Sequence, residues 1–279
     1  LAVGDFDRDG DADLAACNQN SDNVSVLLND GSGVYSSAVN YTVGNEPMGI
    51  LADDLDNDGD LDLAVSNNAD NNVSILLNDG NGTYASAVNY AAGNTPWYVA
   101  AGDVDGDRDL DLITANTYSQ KVSVMKNNGN GTFGAVSDYA VGTEPKGIAI
   151  ADVDKDGDLD LLVANYVDDD VSVLMNNGDG TFAAAVDYGV GNAPYDIEIG
   201  DMDGDGDVDM ASVNALSNNI SVVMNNGSGA FGSATNYAVN SAPKNLTIGD
   251  IDSDGDLDLL AANFNSSNVA ILANNGDLT

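Results

Sequence analysis

The sequence predicts an all-β fold, a β-propeller made of four-stranded antiparallel blades. Two observations lead to this prediction. A run of five aspartates at alternating positions recurs six times, and each recurrence begins 49 residues after the previous one. Every period contains four short apolar segments and no stretch with the length and periodicity of an amphipathic helix. Four-strand repeats of about 40 to 50 residues are typical of propeller blades, and a linear solenoid is the alternative.

The fourth period shows the elements in order. Segment A (147–152) precedes the aspartate loop, segment B (160–165) follows it, and segments C (171–176) and D (181–188) come next. Asn-Gly and Asp-Gly steps between C and D are hairpin signals, which predicts an antiparallel meander. Segments A to C are apolar at nearly every position, as expected for strands covered on both faces by neighbouring sheets.

Two columns of aromatic residues run through the repeats, and we expect both to pack between sheets rather than to bind ligands. The first column is Tyr35, Tyr84, Phe133, Phe182 and Phe231, and the second is Tyr41, Tyr90, Tyr139, Tyr188 and Tyr237. Cys17 is the single cysteine, which excludes an intramolecular disulfide framework. Its alignment with serine, alanine and valine in the other periods predicts a small buried strand residue.

The repeats begin near residues 1, 50, 99, 148, 197 and 246, and we expect them to form one propeller domain over residues 1–279. Six periods of 49 residues require 294 residues and the chain has 279, so strand D of the last period is missing. A six-bladed ring completed by a strand from before Leu1 and a seven-bladed ring with further repeats are both open. We expect the chain to be part of a longer protein.

The aspartate runs have the spacing of a calcium-binding loop. Calcium takes six to eight oxygen ligands, and carboxylates at loop positions 1, 3 and 5 followed by a glycine turn supply several of them. The loops lack the position-12 glutamate of an EF-hand, and position 9 is aspartate in every copy. We therefore predict that the position-9 carboxylates close the loops bidentately and that position 7 adds its backbone carbonyl. Solvated acidic turns are the alternative.

The predicted metal ligands are the five aspartates of each of the six loops. They are Asp5, Asp7, Asp9, Asp11 and Asp13; Asp54, Asp56, Asp58, Asp60 and Asp62; Asp103, Asp105, Asp107, Asp109 and Asp111; Asp152, Asp154, Asp156, Asp158 and Asp160; Asp201, Asp203, Asp205, Asp207 and Asp209; and Asp250, Asp252, Asp254, Asp256 and Asp258.

The third loop departs from the pattern, because Arg108 stands where the other five loops have glycine. A side chain in the left-handed conformation of that turn costs on the order of 1 kcal/mol, and its positive charge opposes a cation. We therefore predict five or six bound calcium ions, with the third site weak or empty.

The acidic composition limits which partners the protein can bind, and the calcium loops indicate where in or outside the cell it acts. The chain has 7 basic and 46 acidic residues, a net charge of −39, which argues against a nucleic-acid partner. Loops of this kind would fill at the calcium level of about 1 mM found outside cells, but not at cytosolic levels. We therefore expect a secreted or cell-surface protein, and we see no apolar run long enough to insert into a membrane.

Three motifs resemble FG-GAP/VCBS repeats, the units of the integrin α-subunit propeller and of many bacterial surface proteins. They are the DxDxDGxxD loops between segments A and B, a GxxPxGI lead-in such as residues 142–148, and an NGxGTF turn such as residues 128–133. The resemblance covers the whole chain. It implies that the calcium loops lie on one face of the propeller, and that partners dock on the opposite face, at the B–C and D–A connections.

Residues that break the repeat on the expected docking face are the candidate ligand-binding residues. They follow the lead-in proline or lie in the B–C connections: Met48, Trp97, Lys146, Tyr195, Lys244, Tyr118, Tyr166 and Phe264. An exposed ring can stack on a sugar or anchor a protein partner. Ordinary loop variation is the alternative.

These features favour a binding or adhesion module for glycan or protein partners. Catalysis is not expected, because the chain has no histidine, the commonest general base, and no unrepeated pair of acids stands out for glycoside hydrolysis. A structural subunit that self-assembles into a surface fibre without a soluble ligand is the alternative. A carbohydrate-active enzyme is a more remote one.

Overall fold

The computed structural model describes residues 1–276. Six antiparallel sheets follow one another, one for each repeat, and we call them blades 1 to 6. The strands are, in blade 1, β1 (Ala2–Gly4), β2 (Asp13–Asn18), β3 (Asn23–Leu27) and β4 (Val39–Thr42); in blade 2, β5 (Pro47–Asp53), β6 (Asp62–Asn67), β7 (Asn72–Leu76) and β8 (Val88–Ala91); in blade 3, β9 (Pro96–Gly102), β10 (Asp111–Asn116), β11 (Lys121–Met125) and β12 (Ser137–Ala140); in blade 4, β13 (Pro145–Ala151), β14 (Asp160–Asn165), β15 (Asp170–Leu174) and β16 (Val186–Gly189); in blade 5, β17 (Pro194–Gly200), β18 (Asp209–Asn214), β19 (Asn219–Val223) and β20 (Thr235–Ala238); and in blade 6, β21 (Pro243–Gly249), β22 (Asp258–Asn263) and β23 (Asn268–Leu272).

Within each blade, strands that are consecutive in sequence are neighbours in the sheet, so the predicted meander is confirmed. The all-β architecture and the repeated blades are confirmed with it. Blade 6 has three strands within residues 1–276. No helix in that part of the chain is long and apolar enough to cross a membrane.

The fourth strand is shorter than expected. Segment D was predicted as a strand over 181–188, whereas β16 covers Val186–Gly189 and Phe182 forms only an isolated bridge with Asn176. Val173 pairs with Val186. From Val173 to Asn176 the third strand advances by three residues, whereas from Phe182 to Val186 segment D advances by four. The extra residue cannot stay in the ladder and interrupts the strand as a bulge would.

Within each of the two halves of the chain, 1–139 and 140–276, the apolar core lies between successive blades rather than inside each sheet. One buried cluster joins Val24 and Val26 of blade 1 to Leu63 and Val65 of blade 2, and equivalent clusters follow in later blades. The second strand of blade 2, β6, is buried at all six positions. The second strands of blades 3, 4 and 5 are buried in the same way, which confirms the predicted cover on both faces for segment B. For segment A the prediction is wrong in most blades, because first strands such as β5 and β17 are largely half-buried.

The aromatic columns pack between blades, as predicted. Tyr41 of blade 1 meets Tyr84 of blade 2 edge-to-face with ring centroids 5.4 Å apart, and Tyr90 meets Phe133 at 5.3 Å. Such edge-to-face geometry is favourable for aromatic pairs. Tyr35 is the first-blade member of its column, and it is exposed.

A polar ladder of asparagine and serine links the second and third strands of blades 1 to 5. In blade 4 the side-chain amide of Asn165 donates to the Ser172 hydroxyl at 2.8 Å. The equivalent Asn116 in blade 3 also accepts a hydrogen bond from the Thr114 hydroxyl, at 3.1 Å. In blade 4 the residue equivalent to Thr114 is Val163, which has no hydroxyl. The amide oxygen of Asn165 is therefore buried without a hydrogen-bond partner.

The chain divides into two compact units, Leu1–Tyr139 with blades 1 to 3 and a second unit from Ala140 onwards with blades 4 to 6. The expectation of one propeller domain over residues 1–279 therefore stays a prediction. Cys17 lies half-buried on β2, with its sulfur 3.8 Å from the carbonyl oxygen of Gly49. Burial raises the pKa of its thiol to about 11.

Candidate metal centres and ligand surface

Each aspartate loop is a tight turn organised by its first carboxylate. In loop 1 the Asp5 oxygens accept the backbone N–H groups of Asp9 at 3.1 Å and Gly10 at 3.0 Å. Gly10 has a φ of 94°, a left-handed conformation that glycine adopts without the steric cost of a side chain. The aspartate spacing and the glycine together fold this segment back on itself.

In loops 1 to 5 the turn brings three carboxylates together. In every group, one ligand oxygen from each residue lies within 4.8 Å of the others, and six such groups are present in residues 1–276. Positions 1, 3 and 9 converge in three of them, and positions 1, 3 and 5 in two others. The five groups are Asp5, Asp7 and Asp13; Asp54, Asp56 and Asp58; Asp103, Asp105 and Asp107; Asp152, Asp154 and Asp160; and Asp201, Asp203 and Asp209.

The position-9 aspartates are buried, and their carboxylates accept hydrogen bonds from the backbone. Asp62 is fully buried, and its two carboxylate oxygens accept the backbone N–H groups of Leu55 at 3.0 Å and Asn78 at 2.7 Å. These bonds tie the start of the loop to the turn after strand C. Burial raises the pKa of Asp62 to about 7 in spite of both hydrogen bonds. That this carboxylate also closes a metal site bidentately stays a prediction.

Two oxygens at position 3 have no partner within the protein. Asp7 Oδ1 and Asp105 Oδ1 are buried and accept no hydrogen bond, although a buried polar atom normally finds a partner. Burial, followed by the charges of Asp9 and Asp13, raises the pKa of Asp7. Clustered carboxylate oxygens that lack donors are the ligands that hard cations such as calcium prefer. The residues of the loops therefore fit a metal ion.

The position-7 carboxylates make other contacts. Asp60 forms an ion pair with Arg8 of the preceding loop, and Asp109 accepts a hydrogen bond from the Asn57 side chain at 2.7 Å. None of the five metal groups named above contains a position-7 residue. The predicted role of this position, a metal contact through its backbone carbonyl, stays a prediction.

Arg108 does not distort the third loop. Its backbone N–H donates to Asp103 at 2.9 Å, as glycine does at this position in the other loops, and it adopts a φ of 77°. The three carboxylates Asp103, Asp105 and Asp107 still converge. The loop therefore keeps its shape at the cost of a left-handed non-glycine residue, and weak calcium binding there stays a prediction.

The candidate ligand residues differ widely in exposure. Tyr118 and Phe264 are exposed. Met48, Trp97, Tyr166, Tyr195 and Lys244 are half-buried. Lys146 is only 7% exposed, because its side chain lies over the Tyr166 ring, 5.9 Å from the centroid, and within 4.0 Å of Glu144. The sequence placed the residues after the lead-in proline on connections, whereas the structure places all five of them on first strands, Lys146 on β13 among them. The sequence pattern also did not indicate the burial of Lys146.

Four of these residues form a continuous strip in the second unit. The rings of Tyr166 and Tyr195 meet edge-to-face at 6.1 Å, and the Lys244 ammonium lies 4.9 Å from the Tyr195 ring centroid and 4.6 Å from that of Phe264. The segments that carry Lys244 and Phe264 also meet, since the Phe264 N–H donates to the Ala242 carbonyl at 2.9 Å. A cavity of about 380 Å³ adjoins the strip at Lys244 and Phe264. We call these four residues the ring strip.

One pair of acids was missed at the sequence level. Asp196 and Glu198 lie two residues apart on β17, and burial together with the charge of Asp196 raises the pKa of Glu198 to about 7. Asp196 accepts the Leu246 N–H of blade 6 at 3.1 Å. The signal was available in the sequence, because no other repeat has acids at these two positions.

The family comparison matches most of the chain. The model of the FG-GAP-like repeat matches five overlapping segments, residues 5–65, 54–114, 103–163, 152–212 and 201–261. Each segment runs from one aspartate loop through the next. A comparison with curated protein sequences gave no match.

Solved structures with a similar fold have diverse functions. An Agrocybe aegerita lectin that recognises non-reducing terminal N-acetylglucosamine is 19% identical, with a TM-score of 0.66 over 99% of this chain and 80% of the lectin. Virginiamycin B lyase from Staphylococcus aureus is 14% identical, with a TM-score of 0.68 over 99% and 81%. BBS1N in complex with ARL6DN is 14% identical, with a TM-score of 0.56 over 96% and 89%. At these identities the likeness concerns the fold alone.

Proposed function

Because this chain is a member of the FG-GAP-like repeat family, we propose that it is an extracellular, calcium-stabilised propeller that binds glycan or protein partners. The observation that carries the calcium assignment is the convergence of three carboxylates in each of loops 1 to 5, with Asp7 Oδ1 and Asp105 Oδ1 buried and without donors. Calcium bound there would neutralise charges that otherwise repel one another.

The location follows from the chemistry of the loops. Sites made of aspartates in flexible surface turns bind calcium at the weak end of its range, about 0.1 to 1 mM. Such sites fill at extracellular calcium levels and stay empty in the cytosol. The net charge of −39 is then largely a property of the metal loops, which leaves a nucleic-acid partner unfavourable.

The ring strip is the proposed ligand surface. It combines half-buried rings, which are held in place by their neighbours, with the exposed Phe264 and with Lys244, one of only seven basic residues in the chain. Rigid aromatic side chains bind sugar faces and protein side chains at a low entropic cost. The lectin of similar fold makes glycans the first ligands to test.

The proposed role is binding without catalysis. The chain has no histidine. The raised pKa of Glu198 is a feature shared with catalytic acids, but its neighbour Asp196 has one oxygen bonded to the Ile197 N–H and the other to the Leu246 N–H. A carboxylate held by two backbone donors supports a structural role for the pair.

A glycan array in 1 mM calcium tests the proposal, with a panel that includes glycans ending in N-acetylglucosamine. We expect binding that is lost in Phe264→Ala and Lys244→Ala while the fold is retained. Tyr35→Ala, which removes an exposed ring outside the strip, is the matched control and is expected to bind normally. Binding that survives both strip variants would contradict the assignment of this surface. Calcium-dependent polymerisation without any soluble ligand would favour a fibre subunit.

A further inference from the structure

In blades 2, 3, 5 and 6, an asparagine just after strand C joins two consecutive metal loops. In blade 2 this residue is Asn78, which is 4% exposed. Its side-chain amide donates to the carbonyl of Leu61 at 3.2 Å, in its own loop, and to the carbonyl of Phe6 at 2.8 Å, in loop 1. One buried amide group therefore holds the end of loop 2 against the beginning of loop 1.

The backbone continues this connection into the next loop. The Asn78 N–H donates to Asp62 Oδ1 at 2.7 Å, and Asp62 Oδ2 accepts the Leu55 N–H at 3.0 Å. The Leu55 carbonyl then accepts the side-chain amide of Asn127, at 2.7 Å, from blade 3. A single chain of hydrogen bonds thus passes from loop 1 through the buried carboxylate of loop 2 to blade 3.

The second unit repeats the arrangement. Asn225 donates to the Val153 carbonyl of loop 4 at 2.7 Å, and its backbone N–H donates to the buried Asp209 of loop 5 at 2.8 Å. Asn274 of blade 6 donates to the Met202 carbonyl of loop 5 at 2.8 Å. The same hydrogen bonds recur with donor–acceptor distances of 2.7 to 2.8 Å. They are therefore a feature of the repeat and are not specific to one loop.

A second link joins the exposed sides of the same loops. Side chains at loop position 4 reach the position-7 carboxylate of the following loop: Arg8 pairs with Asp60, and Lys155 pairs with Asp207. Between loops 5 and 6 position 4 is Gly204, which has no side chain to reach Asp256. The asparagine link is therefore the one that all these pairs of loops share.

We propose that Asn78, Asn127, Asn225 and Asn274 are positioning residues that couple calcium binding between consecutive loops, so that filling one loop raises the affinity of the next. The inference rests on the proposed calcium binding. A metal ion orders its loop and fixes the position-2 carbonyl that the asparagine contacts. The fixed asparagine then holds the position-9 carboxylate of the following loop, so part of the ordering of that loop is already complete when its ion arrives.

Calcium titrations followed by NMR of the 279-residue chain test the coupling. The Gly59 amide, which donates to Asp54 at 2.9 Å, reports on loop 2. Disabling loop 1 with Asp5→Asn and Asp7→Asn is expected to weaken calcium binding at loop 2 about fivefold or more, the lower end of typical allosteric couplings. In an Asn78→Ala background the same two changes are expected to alter the calcium affinity of loop 2 by less than about twofold. The comparison of the two backgrounds is a double-mutant cycle, and the effect of loop 1 should disappear if Asn78 carries the coupling.

Asn29 supplies the matched control. It is the equivalent residue of blade 1, where its amide donates to the Ala12 carbonyl of its own loop at 3.2 Å and, within residues 1–276, to no other loop. Asn29→Ala is therefore expected to preserve the dependence of loop 2 on loop 1. If Asn78→Ala does not fold, Asn78→Leu keeps the branched shape of the side chain and removes both amide donors without placing a charge beside the two carbonyls, and the same loss of coupling is expected.

The outcomes separate the two proposals. An unchanged affinity of loop 2 after loop 1 is disabled would overturn the coupling while leaving calcium binding intact. Coupling that persists in both Asn78 variants would show that the asparagine does not carry it. A wild-type chain whose Gly59 and Gly10 amides do not respond to calcium would overturn the calcium assignment and the coupling together.

Discussion

Removing calcium should strongly destabilise this protein. Three carboxylate oxygens lie within 4.8 Å of one another in each of loops 1 to 5, and two unit charges at that separation repel by about 3 kcal/mol at an effective dielectric constant of 20. If each loop binds with a Kd of about 0.1 mM, free calcium at about 1 mM stabilises the fold by roughly 1.4 kcal/mol per loop. Six loops would give about 8 kcal/mol, and at about 2 to 4 °C per kcal/mol the Tm should rise by roughly 15 to 30 °C.

The assay combines calorimetric titration of the chelator-stripped protein with thermal unfolding followed by circular dichroism. Magnesium at equal ionic strength is the control, because its smaller octahedral shell suits these flexible carboxylate loops poorly. We expect a large calcium-specific rise in Tm and five or six binding events. No binding heat together with a Tm change below about 3 °C would mean that the loops are solvated acidic turns.

The buried carboxylates add a pH dependence to the metal-free protein. The pKa of Asp62 is raised to about 7 and those of Asp111 and Asp160 to about 6, in each case chiefly by burial. The folded state then binds more protons than the unfolded state between about pH 4 and 7, so its stability falls as the pH rises through that window. We expect the metal-free chain to melt at a lower temperature at pH 8 than at pH 5.5. A flat profile would contradict this burial.

Five substitutions test the hydrogen bonding, the charge and the packing of the blades. Val163→Thr should raise the free energy of unfolding of the calcium-loaded protein by about 1 kcal/mol, because the new hydroxyl can donate to the unpartnered amide oxygen of Asn165 in blade 4. Thr114→Val should lower it by a similar amount in denaturant unfolding, because it removes the equivalent hydrogen bond in blade 3. Equal effects of the same sign would refute this. Glu198→Gln should stabilise the fold at pH 8 by about 1 kcal/mol, after allowance for partial exposure, because at that pH the half-buried carboxyl is charged. At pH 4.5 the raised pKa keeps Glu198 protonated, so the substitution should have little effect. A gain in stability that does not depend on pH would count against this reasoning. Phe133→Ala should cost about 3 kcal/mol or more, and the matched Tyr35→Ala well under half of that; equal losses would mean that the ring contacts between blades carry little energy.

Much of the fold could be predicted because the information is local and repeated. The hairpin signals, the apolar segments and the aspartate spacing each lie within about ten residues, and the 49-residue period presents every one of them several times. Strand D shows the limit. The bridge at Phe182 and the start of β16 at Val186 depend on a one-residue difference in register that no composition pattern records.

By itself the sequence determined the all-β repeat, the order of strands in each blade, and the loops in which carboxylates converge. Only the tertiary structure decided which oxygens lack donors, as at Asp7, and which carboxylates are used elsewhere, as at Asp60. It also decided that Lys146 is buried and that Asn78 spans two loops, 72 residues from its partner Phe6. The physical reason is that burial and hydrogen bonding between blades depend on how neighbouring repeats face each other, and a pattern confined to one repeat contains no record of that.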